Sequence, residues 1–305
     1  MTEPQNDTAD FRPHGKKGLV IGICVAVVVA AALAWIWHGS MEYRRGHERF
    51  AKQFAGAKAS AFNAYESECA PLVKKIASST SASGVMEIFE GREKDTAAHM
   101  KRVCLNLIQR TVKSFEGIES HPEYDILLSR LHDSGRGMVD SWKFIIDTVQ
   151  SMAAVAEAGK EIDNHAAKWV EYAGSRDEAL HEDAAAFVRF LKCSLGVQDL
   201  GEVSMLTLSS RIRSSASKDA ESWTKSVTGQ CFIVLSEKAD SEMKEDEKLF
   251  LEADAVDEEA AAALKESLSA GLRNRVSLLR DSVKNARDGF RSALLDVENK
   301  IIANE

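Results

Sequence analysis

The feature that most constrains this chain is an uncharged run of twenty residues, Gly18–Trp37. A helix rises about 1.5 Å per residue, so the run is long enough to cross the roughly 30 Å hydrocarbon core of a bilayer. Basic residues stand on both sides of it: Lys16, Lys17, Arg44 and Arg45. Rings that favour the headgroup layer lie near its second end: Trp35, Trp37 and Tyr43. The run predicts a transmembrane helix at residues 18–37, held in the lipid bilayer, after a short tail at residues 1–17.

Two other kinds of N-terminal signal are alternatives to a permanent anchor. A secretory signal would be cleaved after Ala32–Ala34, but the charged leader is long and the apolar run continues through Trp37. A lipoprotein signal would use Cys24. Ile23 precedes this cysteine where a small residue is needed, and Cys24 comes too early in the run. The sequence therefore favours a signal-anchor.

The charges around the run do not decide its orientation, because similar numbers of basic residues precede and follow it. The cysteines of the following domain favour one side; they are the candidate disulfide residues Cys69, Cys104, Cys193 and Cys231. An even number in an exported domain permits two disulfides, with three possible connectivities. The alternative is four buried thiols in a cytosolic domain. We expect a single-pass protein of the bacterial inner membrane, with a cytoplasmic tail and a periplasmic C-terminal domain.

The domain at residues 42–305 has the composition of helices, since aromatic residues make up only 7% of the chain and two of its four prolines lie in the tail. The net charge is −8, and Glu237–Glu259 alone carries eleven acidic residues and three lysines. No basic face remains for nucleic acid, so none is expected as a partner. The acidic stretch lacks the ligand pattern of a calcium loop and predicts a solvated helix face.

Apolar residues recur at steps of three and four along most of the domain. The stripe at Tyr43–Ile76 predicts one long amphipathic helix leaving the membrane, kinked near Pro71. A second long helix is expected from Met138 to about Ala173, and a third at residues 257–304. The register of the third slips along its length, which favours the central helix of a bundle over a coiled-coil strand. The predicted fold is all-α, with a transmembrane helix followed by an elongated antiparallel helical bundle.

Serine and glycine clusters predict where these helices break. The sequence indicates breaks at Ser78–Gly84 and Ser209–Ser217 and a turn at Asp133–Gly137. Gly174 is expected to end the second long helix, and Ser175–Glu178 has the spacing of a capping box.

That box divides the domain into two halves of equal length, residues 42–173 and 174–305. Each half has one cysteine pair, and each pair brackets a serine-rich segment. The pattern suits two related helical units, each closed by a disulfide, although the serine-rich segments do not lie at matching offsets from the cysteines.

The chain has few of the motifs that carry chemistry. No two of its eight histidines are three or four residues apart, and it has no Cys-x-x-Cys, no nucleotide-binding glycine motif and no Gly-x-Ser-x-Gly elbow. Two Ser-x-x-Lys tetrads, Ser215–Lys218 and Ser222–Lys225, lack the partner motifs of penicillin-binding enzymes. We predict that the protein is not an enzyme and has no catalytic residue, cofactor or metal site.

Long amphipathic helices without a convergent polar site are typical of interaction proteins. We expect a membrane-anchored periplasmic scaffold, an accessory subunit of a cell-envelope complex, whose partners are other envelope proteins or further copies bound through its helices. The alternative is a ligand-sensing bundle, since the architecture resembles that of the periplasmic domains of bacterial chemoreceptors in shape alone.

Overall fold

The computed structural model describes residues 15–203, 207–236, 243–253 and 257–304, with side chains from residue 25 onward except at residues 60, 61 and 202. Throughout these ranges the regular structure is helical and no strand occurs. The α-helices are α1 Gly15–Ala57, α2 Asn63–Glu68, α3 Ala70–Ser78, α4 Ala82–Phe89, α5 Glu93–His99, α6 Leu105–Glu116, α7 Asp125–Ser175, α8 His181–Leu195, α9 Leu208–Lys218, α10 Ala220–Ser226, α11 Phe232–Ser236, α12 Glu245–Glu252 and α13 Glu259–Asn304. The all-α prediction is confirmed.

The helix that leaves the apolar run continues into the bundle. After α1, a π-helical turn at Lys58–Phe62 leads directly into α2, and the Asn63 N–H donates to the Lys58 carbonyl across it. The axis breaks at Cys69, and Pro71 lies in the first turn of α3, close to the predicted kink. The predicted break at Ser78–Gly84 is also confirmed, because Ser81 caps α4 by accepting a hydrogen bond from the Gly84 N–H.

Helix α1 is the one helix in the described part of the chain that is long and apolar enough to cross a membrane. Its most apolar window of eighteen residues has a mean hydropathy of 1.5 and is not buried against other residues. Trp35 is 81% exposed. An apolar helix with no protein cover is what a membrane span requires.

The bundle is built around α7 and α13, which pack side by side in opposite directions. Asp163 pairs with Lys265, Asp147 with Arg275, and Ser141 with Ser282. The residue numbers fall along one helix as they rise along the other, so the helices are antiparallel. Helix α7 has 51 residues and α13 has 46, which corresponds to lengths of about 70–75 Å. The bundle is therefore elongated, as predicted.

The buried apolar side chains form two clusters along this pair of helices. The first cluster lies near α1 and combines residues between Phe50 and Met152 with residues Leu272–Ile301 of α13. The second combines residues between Ala158 and Leu268. Both α7 and α13 contribute to both clusters, so each cluster combines residues from the two predicted halves, 42–173 and 174–305. The division of the domain into these halves stays a prediction.

Two predicted interruptions are wrong. Residues 133–137 do not form a turn but lie inside α7. There Gly135 lets α6 and α13 approach, because a Cβ at this position would lie 3.0 Å from a Val112 methyl carbon and 3.5 Å from the Phe290 ring. Ser209–Ser217 is not a break but most of α9, whose apolar face is buried through Leu208, Ile212 and Ala216.

The boundary after α7 also differs from the prediction. The helix runs one residue past Gly174 to Ser175, and Arg176 ends it in the left-handed conformation with φ 56°. The side chain of Arg176 donates to the carbonyls of Leu251 and Glu252, which holds this conformation in place. The next cap is Asp177 and not Ser175, because the Asp177 carboxylate accepts from the Ala179 N–H.

Helices α10 and α13 approach each other closely at Gly271. This glycine is buried, and a Cβ added to it would lie 2.5 Å from the Ala220 carbonyl oxygen and would also overlap the Thr224 hydroxyl. A backbone carbonyl cannot move aside as a flexible side chain can. A glycine is therefore required for α10 to reach its place on α13.

We expect Gly271→Ala to destabilise the protein by about 1–3 kcal/mol, because the added methyl group forces α10 away from α13. Thermal unfolding followed by circular dichroism would measure the change. Gly289→Ala is the matched control, since it lies on the same helix with nothing within 4 Å of its Cβ position, and it should stabilise by up to about 1 kcal/mol. Equal effects of the two substitutions would contradict the close crossing.

Candidate functional site

Two of the four predicted disulfide cysteines are bonded to each other. Cys193 and Cys231 form a disulfide with an S–S distance of 2.06 Å and a Cα–Cα distance of 5.5 Å. Cys193 lies near the C-terminal end of α8, and Cys231 ends a π-helical turn at Val227–Cys231 that precedes α11. Cys231 is buried and Cys193 is exposed. The bond fastens α8 to the segment that carries α10 and α11.

The other two cysteines are free thiols that touch each other. Cys69 and Cys104 are 0% and 1% exposed within the first core cluster. The Cys69 thiol donates a hydrogen bond to the Cys104 sulfur, which raises the pKa of Cys69 and lowers that of Cys104. The structure therefore brings together the two pairs of cysteines that are nearest in sequence, one pair as a disulfide and the other as thiols.

Part of the acidic stretch is buried, which corrects the prediction that it is a solvated helix face. Lys192 on α8 donates to Asp246 Oδ2 at 2.9 Å and to Glu247 Oε1 at 3.2 Å on α12. Arg189 also pairs with Glu247, at 3.4 Å. Lys192 and Glu247 are buried. Residues 237–242 and 254–256 of the stretch lie outside the described residues.

The pKa values of this ion cluster are shifted by its hydrogen bonds. Burial disfavours the charged form of Lys192, but hydrogen bonds from its ammonium group to Asp246 and Glu247 outweigh burial and raise its pKa. The Leu200 backbone N–H and then Lys192 donate to Asp246 and lower the pKa of its carboxyl group. Each partner stabilises the charged form of the other, so the cluster holds α12 against α8 while both are ionised.

An open groove of about 550 Å³ with a mixed lining lies between α4, α5, α7 and α13. Its floor is apolar and includes Met86, Met152, Val155, Leu268 and Leu272. Three glutamates, Glu87, Glu90 and Glu93, stand on the side of α4 and α5. The side of α7 and α13 carries Lys160, Arg273 and the ion pair of Lys265 with Asp163. A groove of this size is in the range of small-ligand sites.

At the end of the bundle nearest to the apolar part of α1, aromatic and histidine side chains connect α1 to the two long helices. The Tyr124 hydroxyl lies 2.6 Å from His47 Nδ1, and the Tyr124 ring stacks on Phe50 with the centroids 4.2 Å apart. A hydrogen bond with Glu123 raises the pKa of Tyr43 to about 12. The side-chain amide of Asn304 at the end of α13 donates to the Tyr124 hydroxyl oxygen at 3.1 Å. These contacts hold α1 against the start of α7 and the end of α13.

The structure brings no catalytic set together from the motifs that the sequence contains. Ser222 and Lys225 are exposed on α10, and Lys225 pairs with Glu221 at 2.9 Å. Lys218 is exposed at the end of α9. Within the described ranges, no group of three or more histidine, cysteine, aspartate or glutamate side chains is placed to hold a metal ion.

Comparison of the chain with protein-family models, with curated proteins and with solved structures finds no match.

The lowered pKa of Asp246 predicts an acid-sensitive attachment of α12. A carboxyl group whose pKa is depressed on folding contributes stability above its unfolded value of about 3.8, and that contribution is lost as the pH falls through the folded value. The difference in melting temperature between wild type and Asp246→Asn should therefore be largest near neutral pH and should shrink below about pH 4. Thermal unfolding measured from pH 3 to 7 would test this.

The exposed Asp163→Asn substitution is the control for that measurement. Asp163 also pairs with a lysine, at 2.8 Å, but it is 56% exposed, and surface pairs of this kind contribute little. A pH dependence of the Asp246 difference no larger than that of the control would contradict the role of the buried cluster.

Proposed function

We propose that the protein is a membrane-anchored helical scaffold that holds an extracytoplasmic interaction domain, as an accessory subunit of a cell-envelope complex. The observation that carries the proposal is that α1 combines an uncovered apolar segment with a segment buried in the bundle. Trp35 and Trp37 are exposed, whereas Phe50 and Phe54 on the same helix are buried. The change from one to the other occupies about 20 Å of helix, which is close to the depth of a headgroup layer and its adjacent water.

The disulfide between Cys193 and Cys231 supports an extracytoplasmic location of the helical domain. Disulfides persist in oxidising compartments and are rare where thiols are kept reduced. The bond closes a segment of 38 residues, which in the chain-entropy model stabilises a folded domain by about 3–4 kcal/mol. In this orientation the N-terminal tail is cytoplasmic, residues 18–37 cross the inner membrane, and residues 42–305 are periplasmic.

The exposed position of Cys193 gives a direct test of the side on which the domain lies. We expect a membrane-impermeant maleimide to label Cys193 in intact cells of the Cys231→Ser variant, because the substitution leaves an exposed thiol outside the membrane. In wild type the same residue should be labelled only after reduction. Labelling of the variant only after cell lysis would place the domain in the cytoplasm and would overturn the proposal.

The groove favours a second candidate function, which is the sensing of a small ligand. Glutamates on one side, and Lys160 and Arg273 on the other, suit a molecule that has both charges and an apolar centre. The groove lies where the two core clusters meet, since Val155 in its floor packs against both. A ligand bound there would contact both clusters at once.

A ligand site in this groove should raise the melting temperature of the full chain. A tripeptide such as Lys-Leu-Glu, present about a hundredfold above its dissociation constant, should stabilise by about 2.7 kcal/mol. Ala156→Trp would fill the groove and abolish the shift, whereas Val170→Trp on the outer side of α7 would leave it unchanged. No shift across a panel of tripeptides with each combination of end charges would remove this second candidate and leave the scaffold proposal standing.

A further inference from the structure

The two cysteine pairs occupy matching places in two segments of the chain. One segment begins with α5, which has seven residues, and continues through a five-residue π-helical turn at Met100–Cys104. The other begins with α10, which also has seven residues, and continues through a five-residue π-helical turn at Val227–Cys231. In each segment the last residue of the π-helical turn is a cysteine, and π-helical turns are rare enough that this agreement is informative.

The buried positions of the two segments agree as well. When Cys104 is aligned with Cys231, each buried residue between Glu93 and Ile108 corresponds to a buried residue between Ala220 and Leu235. The aligned buried residues are Ala97 with Thr224, Met100 with Val227, Cys104 with Cys231, and Ile108 with Leu235. Each segment also packs on the long helix that follows it in the chain, α5 on α7 and α10 on α13.

The partner cysteines are placed alike. Cys69 directly follows the last residue of α2, and Cys193 lies near the end of α8, so both stand at the C-terminal end of a helix. Cys69 precedes Cys104 by 35 residues and Cys193 precedes Cys231 by 38. The two pairs therefore have similar spacings and share their helical setting and the π-helical turn.

We propose that Cys69 and Cys104 form a second disulfide, which is the counterpart in the first core cluster of the Cys193–Cys231 bond. The two thiols are buried, are in hydrogen-bonding contact and face no other cysteine among the described residues. The proposal rests on the extracytoplasmic location argued above. It names a modification site and adds a covalent connection between the end of α2, which continues α1 through a π-helical turn, and the start of α6.

The bond forms by thiol–disulfide exchange with a protein disulfide oxidant of the same compartment. The thiolate of one cysteine attacks the oxidant's disulfide, which forms a mixed disulfide and releases one oxidant thiolate. The second cysteine then attacks the mixed disulfide and releases the other. Two S–H bonds are lost, one S–S bond is formed, and the two electrons and two protons leave with the oxidant as a dithiol. Because both residues are buried after folding, the exchange precedes closure of the core around them.

The test maps the cysteines of the full chain recovered from its native membrane. Cells are quenched with acid, free thiols are blocked with N-ethylmaleimide under denaturing conditions, and the chain is digested with trypsin without reduction. Cleavage after lysine and arginine places the four cysteines in separate peptides, at residues 59–74, 103–110, 193–211 and 226–238. Mass spectrometry then identifies which peptides are linked and which carry maleimide.

A linked pair of peptides 59–74 and 103–110, present together with linked peptides 193–211 and 226–238, is the expected result. Maleimide on both Cys69 and Cys104 with the other pair linked would overturn this inference and leave the extracytoplasmic location intact. Maleimide on all four cysteines would overturn both. A link between Cys69 or Cys104 and a cysteine of the other pair would contradict the matched arrangement.

A stability measurement distinguishes a disulfide between Cys69 and Cys104 from two buried thiols that only pack against each other. We expect Cys69→Ala, Cys104→Ala and the double variant to lower the melting temperature by similar amounts, since removing either partner breaks the same bond. Under reducing conditions most of the difference from wild type should disappear. Additive losses that persist unchanged with reductant would show that the two side chains only fill space, and would overturn the proposal.

Discussion

The antiparallel contact between α7 and α13 is the interaction on which the rest of the structure depends. Helices α5, α6 and α8 pack on α7, while α3, α4, α9 and α10 pack on α13. Most of these helices have fewer than twelve residues, which is too short for an isolated helix to be stable in water. Their helical state therefore comes from the apolar faces that the two long helices offer them.

Arg275 adds polar contacts to this largely apolar interface. It is buried on α13, and its guanidinium group bonds to Asp147 and Thr148 on α7 and to Glu221 on α10. The Phe144 ring lies 5.6 Å from the guanidinium carbon. If α13 were shifted along α7, Arg275 would lose these partners, and a buried charge without partners is costly. Arg275 therefore specifies the register of α13 against α7.

The elements that could be predicted from sequence are those in which one apolar stripe decides the outcome. Helix α13 keeps steps of three and four over its whole length, and it was predicted within two residues of its observed start. The failures at Asp133–Gly137 and Ser209–Ser217 have a common cause. Glycine and serine disfavour helices locally by about 1 kcal/mol or less per residue, and the burial of neighbouring side chains such as Ile212 exceeds that cost.

The candidate sites depended more on long-range contacts. Counting cysteines identified the four candidate residues, and their division between the two halves suggested the pairs Cys69–Cys104 and Cys193–Cys231. The π-helical turns that end at Cys104 and Cys231 had no signal in the sequence. The net charge of the acidic stretch likewise suggested a solvated surface, because Lys192 and Arg189, which neutralise Asp246 and Glu247, lie more than fifty residues away in the chain. The groove is assembled from four helices, so no local pattern could have indicated it.

The direction of α7 places the groove far from the membrane in the anchored protein that we propose. Tyr124, immediately before α7, contacts α1 at His47 and Phe50, whereas Met152 and Asp163 border the groove. At about 1.5 Å per residue, the groove lies some 40–60 Å farther along the bundle than those contacts. A partner or ligand bound there must come from the aqueous compartment or from a protein that projects as far from the bilayer. This height suits a scaffold that presents a binding surface away from the membrane, with α1 fixing where it is presented.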